Sequence, residues 1–300
     1  MTTRLMHMAL LLPLHACGSS DSTNTADEAE GGTAAGASST STTDDDDDGS
    51  TAVASETVRL RIAHMSVDGL DVIVCVDGEP IAPLGATPIA YPNVTAYLDV
   101  PTDAEVTLLP VGSRCHDDTQ LDIDLDLAPG AWATLVLFGD PALADRPLEL
   151  RLLLDETDLP PTSANLARAR NFHVDVDIGA IDVGVSPALG VQLMLFDNVP
   201  YGGTAQGSDI GTLTERGYVD GALPMVPTDR LNIWTHGTTE VLGWLPTDPP
   251  ALQAGAVHSI FAAGKVLSGT PEAVVCLDTV AMATAEALWT RCQVFIPVQR

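Results

Sequence analysis

The sequence predicts an all-β fold, built as two tandem β-sandwich domains behind a disordered tether. Three features point there. Apolar and polar residues alternate with a period of two, turn clusters separate the short runs, and a set of sequence blocks occurs twice in the same order. Helical periodicity is nearly absent. Only residues 280–289, a mixture of Ala, Thr and larger apolar side chains, fit a helix.

The strands follow in order. Val58, Leu60 and Ile62 alternate with Arg59 and Arg61, giving one apolar and one charged face. Residues 71–76 are an almost continuous apolar run, ended by the turn Asp77-Gly78-Glu79-Pro80. Leu121, Ile123, Leu125 and Leu127 alternate with Asp122, Asp124 and Asp126, so the three carboxylates share a solvent face. Those carboxylates have the spacing of a calcium loop, but Leu127 stands where the loop needs glycine, and a strand is the better reading.

The blocks then repeat. Arg61, His64 and Asp68 correspond to Arg170, His173 and Asp177, and Asp71-Val72 to Asp182-Val183. Pro101 and Asp103 correspond to Pro227 and Asp229. Residues 127–139 align without a gap on 252–264, and Leu154-Asp155 align on Leu277-Asp278. The chain therefore reads as two copies of one domain of about 100 residues, a common domain size. The copies occupy 58–160 and 165–300, the second divergent and carrying a C-terminal extension. Residues 157–164, with Pro160-Pro161, form the linker.

These blocks resemble the DUF4397 family, a domain of unknown function. Arg61, His64, Ser66, Asp68, Asp71, Val72, Asp77 and Gly78 match its opening pattern, and Val94, Thr95, Tyr97, Leu98 and Pro101 its middle. Val67 replaces the family's usual Pro, and the second copy has Asp175 for the Ser. The resemblance implies small sandwiches of immunoglobulin-like or transthyretin-like kind, often in tandem, on bacterial surface and secreted proteins. It implies no reaction.

Arg4 followed by the short apolar run 5–14 reads as a secretory signal, residues 1–16. A run of ten mostly apolar residues is too short for a membrane-spanning helix, which needs about 20. Leu14-His15-Ala16-Cys17 resembles the bacterial lipobox, although His15 is not small, and marks Cys17 as the lipid anchor. Residues 17–57, rich in Ser, Thr, Gly and Asp, cannot bury enough apolar surface to fold and form the tether. Asp44, Asp46, Asp48 and Gly49 open like a calcium loop, but Ser55 stands where a bidentate Glu is required. Gly18, rather than Asp, follows the anchor, so an outer-membrane location is expected.

Of the net charge of -28, the first 56 residues carry -9, which leaves -19 on the remainder. Such a surface repels phosphate backbones, so nucleic acid is excluded as a partner. Beyond Cys17, four cysteines remain, and an even number in an exported chain implies two disulfides. Of the three possible pairings, Cys75–Cys115 with Cys276–Cys292 keeps each bridge within one proposed domain.

No nucleophile elbow, zinc-protease motif or phosphate-binding glycine loop occurs, so no catalytic residue, nucleotide site, metal or cofactor is expected. Trp132, Trp234, Trp244 and Trp289 are better read as packing than as a sugar-binding face. The repeated His64, Asp68, Asp71, His173, Asp177 and Asp182 are the residues closest to chemistry. Carboxylates after a strand end commonly cap turns, and a turn that defines a fold recurs in every copy, whereas an active site seldom does. The expected function is therefore non-enzymatic: a lipid-anchored envelope protein displaying two modules for binding, adhesion or structure. Its partners are the membrane through Cys17 and a surface protein or glycan. The alternative is an envelope hydrolase or metal-dependent enzyme using His64/Asp68 and His173/Asp177.

Overall fold

Period-two patterning does fold as strands. The computed structural model describes residues 56–117, 121–156, 167–185, 192–220, 231–245, 252, 255–278 and 283–296, and every regular element among them is β. All lie in one compact unit, Val53–Arg300. Cys17, the tether aspartates, the Pro160-Pro161 linker and the Pro227/Asp229 block lie outside the described residues. Among the described residues no helix is long and apolar enough to cross a membrane.

The first half contains β1 (Thr57–His64), β2 (Val72–Val76), β3 (Glu79–Pro80) and β4 (Leu98–Pro101). It continues with β5 (Glu105–Pro110), β6 (Leu121–Asp124), β7 (Trp132–Phe138) and β8 (Glu149–Leu154). They form two sheets, in the orders β4-β1-β7-β8 and β3-β2-β5-β6. The second half contains β9 (Arg168–His173), β10 (Ile181–Val185), β11 (Leu193–Val199), β12 (Gly203–Thr204), β13 (Thr212–Leu213) and β14 (Val219–Asp220). After these come β15 (Leu231–Thr235), β16 (Val241–Leu245), β17 (Val257–Lys265), β18 (Thr270–Leu277) and β19 (Cys292–Phe295). Its sheets run β12-β9-β17-β18-β19 and β11-β10-β15-β16, with β13-β14 as a small ribbon.

Each half is a sandwich. Leu60 and Ile62 of β1 meet Val74, Leu98, Val106 and Leu135 in one buried core. Ala169, Val183, Ile233, Ile260 and Val275 build the second. The two halves match in register. β1 pairs in parallel with β7, setting Arg61 beside Thr134, and β9 pairs in parallel with β17, setting Arg170 beside Ser259. Gly139 and Gly264, 125 residues apart like Thr134 and Ser259, both have positive φ, 100° and 95°. A Cβ there would lie 2.0 Å from the Pro147 carbonyl oxygen and 2.3 Å from that of Thr270, so only glycine fits.

The inner strands are buried on both faces, and this departs from the strand with a charged outer face expected of residues 58–62. Arg59 reaches solvent beside Asp99, whereas Arg61 is fully buried. Ala63, Met65, Val136 and Phe138 of the first half share a third core with Phe172, Val174, Phe261 and Val274 of the second. Phe138 and Phe172 meet edge to face at 5.7 Å. The two inner sheets thus pack on each other. The β6 region keeps its expected alternation, with Asp122, Asp124 and Asp126 exposed.

The disulfides are Cys75–Cys115 and Cys276–Cys292, the pairing chosen from the sequence. By loop-closure entropy they contribute about 4 and about 3 kcal/mol. Of the residues 280–289 expected to be able to form a helix, 280–282 lie outside the described residues and 283–289 are not helical. From 283 onward they run as turns and bridges laid along residues 94–97 of the first half. Ala283 N–H donates to the Tyr97 carbonyl at 2.6 Å, Ala96 N–H to Leu288 at 2.8 Å, and Thr290 N–H to Val94 at 2.8 Å. Ala283 and Leu288 pack on the first core. Tertiary pairing here overrides the modest helix preference of an Ala/Thr segment.

Candidate functional site

The repeated histidines and aspartates do not form pairs. His64 ends β1 fully buried, and its Nε2–H donates to the Leu70 carbonyl at 3.0 Å. Asp68 instead ion-pairs with Lys265 of the other half, which also binds Asp140 at 2.7 Å. His173 repeats the arrangement: its Nε2–H donates to the Gly179 carbonyl at 2.7 Å. Asp177 accepts the backbone N–H groups of Leu267 at 3.1 Å and Ser268 at 3.0 Å. Asp71 is exposed. Burial lowers the pKa of both histidines, that of His173 to about 4, so each is a neutral imidazole at pH 7. What recurs is a turn that closes on a buried imidazole.

Asp175, where the first half has Ser66, accepts N–H bonds from Asp177 at 3.1 Å and Val266 at 2.9 Å. Burial, followed by the neighbouring Asp177 carboxylate, pushes its pKa up to about 8. The folded state then holds a proton that the unfolded chain releases near pH 4, so the associated stability is present at low pH and lost as pH rises towards 8. His173 acts oppositely, its contribution being lost as pH falls from about 6.5 to about 4. Between pH 6.5 and 8 Asp175 acts in the same direction as His236, whose pKa the hydrogen bond to Asp182 raises. Urea unfolding should show stability falling there, with Asp175 supplying up to about 1.4 kcal/mol per pH unit, and Asp175→Asn should flatten the slope. An unchanged slope in the variant would refute the assignment.

Between the inner sheets lies a buried polar cluster with internal two-fold character. Arg61 Nε donates to Thr134 Oγ1 at 2.8 Å, and its Nη2 reaches Ser259 Oγ at 3.3 Å and pairs with Asp278 at 2.8 Å. Arg170 Nε donates to Ser259 Oγ at 3.0 Å, and its Nη2 reaches Thr134 Oγ1 at 3.2 Å and pairs with Asp155. Arg61 stacks over Tyr97 at 5.1 Å and Arg170 over Tyr218 at 4.9 Å. The two tyrosine hydroxyls donate to Asp155 at 2.6 Å and Asp278 at 3.2 Å. Burial works against ionising Asp155, but Arg170 and Arg61 outweigh it and hold its pKa below the ordinary carboxylate range. Two guanidinium and two carboxylate charges cancel in a site closed to solvent. The arrangement can lock the halves together, and it offers a substrate no approach.

A different group forms at one end of the outer sheet β11-β10-β15-β16. Asp182 on β10, Asp197 on β11 and His236, just after β15, converge so that one ligand-type atom of each lies within 4.8 Å of the others. His236 Nδ1 is 2.8 Å from Asp182 Oδ1 and 3.7 Å from Asp197 Oδ1. Asp182 is buried and held by the N–H groups of Asn198 at 2.8 Å and Gly237 at 3.3 Å. Of this group the sequence reading singled out Asp182 alone. Asp197 and His236 lie outside the repeated blocks and carry no local motif.

Of the tryptophans, Trp132 packs edge to face on Tyr97 at 4.6 Å, Trp234 is fully buried, and Trp289, in the segment laid along residues 94–97, is 40% exposed.

No curated protein matches this sequence. The family model described as a domain of unknown function, DUF4397, matches residues 32–184. That stretch begins in the acidic segment, takes in the whole first sandwich with His64, Asp68 and Asp155, and ends within β10, just past Asp182. It spans just over half of the sequence, and the chain belongs to the DUF4397 family.

Proposed function

We propose that the chain is a lipid-anchored envelope protein whose two sandwiches, tandem copies of the DUF4397 domain, act as one rigid head in a non-enzymatic binding, adhesion or structural role. The reading rests on what the repeated residues do. Arg61, Arg170, Asp155 and Asp278 join the halves, His64 and His173 close buried turns, and Asp177 caps a loop. Two disulfides suit an exported protein. An acidic segment of about forty residues, rich in Ser, Thr, Gly and Asp, separates Cys17 from β1, a composition suited to a spacer. The partner is a surface protein or glycan, because the net charge of -28 repels nucleic acid. The outer membrane is the proposed location, Gly18 being the residue after the anchor.

Cys17→Ser should abolish lipid labelling and release the protein to the soluble fraction, and globomycin, which blocks lipoprotein signal cleavage, should make the precursor accumulate. Membrane association that survives Cys17→Ser unchanged would exclude Cys17 as the anchor.

A further inference from the structure

We infer that Asp182, Asp197 and His236 form a binding site for a single divalent transition cation of the Zn2+ type. The inference is independent of the display role and concerns residues that role does not use. Three neighbouring strands of one sheet deliver two carboxylates and an imidazole to one point. The imidazole distinguishes the group from the solvated carboxylates elsewhere on this acidic surface, and an imidazole with carboxylates is a donor set that suits Zn2+. Around a tetrahedral ion bound at about 2.0–2.2 Å, neighbouring ligand atoms stand about 3.3–3.6 Å apart. The 2.8 and 3.7 Å separations from His236 Nδ1 bracket that span.

The framework orients the ligands before any ion arrives. The pairing of β10 with β11 shifts register around Val183, beside Asp182, and Asn198, next to Asp197, has a left-handed backbone with φ 48°. Backbone donors from Asn198 and Gly237 fix Asp182, the outer support that ligating carboxylates usually have. Gly207 lies against Asp197, where a Cβ would come 3.2 Å from its Oδ2. Asp197 and His236 keep 47% and 39% of their side chains exposed, so water completes the coordination and the ion faces solvent. Three protein ligands fall short of the six to eight oxygens that Ca2+ takes, which disfavours Ca2+.

The test uses the full chain, stripped with chelator. Isothermal titration with Zn2+, and visible absorption with Co2+ as a spectroscopic substitute, should show one saturable site per chain that millimolar Ca2+ does not displace. His236→Ala and Asp197→Asn, each verified as folded by circular dichroism, should weaken it by about tenfold or more. Changing Asp44–Asp48 together to Asn should leave it intact, which separates it from diffuse binding to the tether. Absence of saturable Zn2+ uptake, or uptake indifferent to both His236→Ala and Asp197→Asn, would overturn the inference and leave Asp182–His236 as a turn lock.

Discussion

Replacing Arg61 with Ala will destabilise the protein by about 3–5 kcal/mol, because it leaves a buried carboxylate uncompensated. Asp278 pairs with Arg61 from the opposite half of the molecule, and Ser259 accepts from both guanidiniums. The loss will therefore not stay in the first sandwich. Guanidinium unfolding of the wild type and of Arg61→Ala should each give one transition, with the midpoint lowered in the variant and the slope preserved. Arg170→Ala should destabilise in the same way but by less, since Asp155 keeps Arg61 at 3.6 Å. Two separated transitions, with only the first sandwich weakened, would show that the halves fold independently. A double-mutant cycle between Arg61 and Asp278 should give a coupling well outside the range of exposed pairs, which is about 0–1 kcal/mol.

Removing everything after residue 282 should be at least as damaging. The truncation deletes the strap on residues 94–97, the edge strand β19 and Cys292. Losing the Cys276–Cys292 bridge costs about 3 kcal/mol, and losing buried Phe295 about 2–3 kcal/mol more. Three backbone hydrogen bonds between the strap and the first half go as well, at about 1 kcal/mol each. Their sum approaches the whole stability of an ordinary domain, about 5–15 kcal/mol. The truncated chain should lose cooperative melting in circular dichroism and become sensitive to protease within the first sandwich. A truncated protein that melts within a few degrees of the full chain would show that the strap is ornamental.

Much of this architecture was readable in the residues, and particular elements show where reading stopped. Leu121 to Leu127 alternate because one face meets the core and the other meets water, so period and burial agree. Residues 58–62 present the same alternation, yet Arg61 is buried. Periodicity reports which residues share a face, not what covers it. The trace of the buried cluster was the repeat itself, which aligned Arg61 with Arg170 and Asp155 with Asp278. Thr134 and Ser259 fell in the gap-free block, but hydroxyls on apolar strands gave no warning of a shared hydrogen-bond hub. The group of Asp182, Asp197 and His236 is assembled by strand order and register, which no local pattern encodes. Residues 283–290 misled because their conformation is set by a partner almost two hundred positions away.

β1 has one more consequence. It is the first strand of the first sandwich and lies inside its sheet, antiparallel to β4 and parallel to β7. Traction applied along the strand axis would load both ladders of hydrogen bonds in shear, so that they must fail together. A strand at a sheet edge, pulled crosswise, would peel open one bond at a time. A first strand held on both sides is built to resist being drawn out lengthwise.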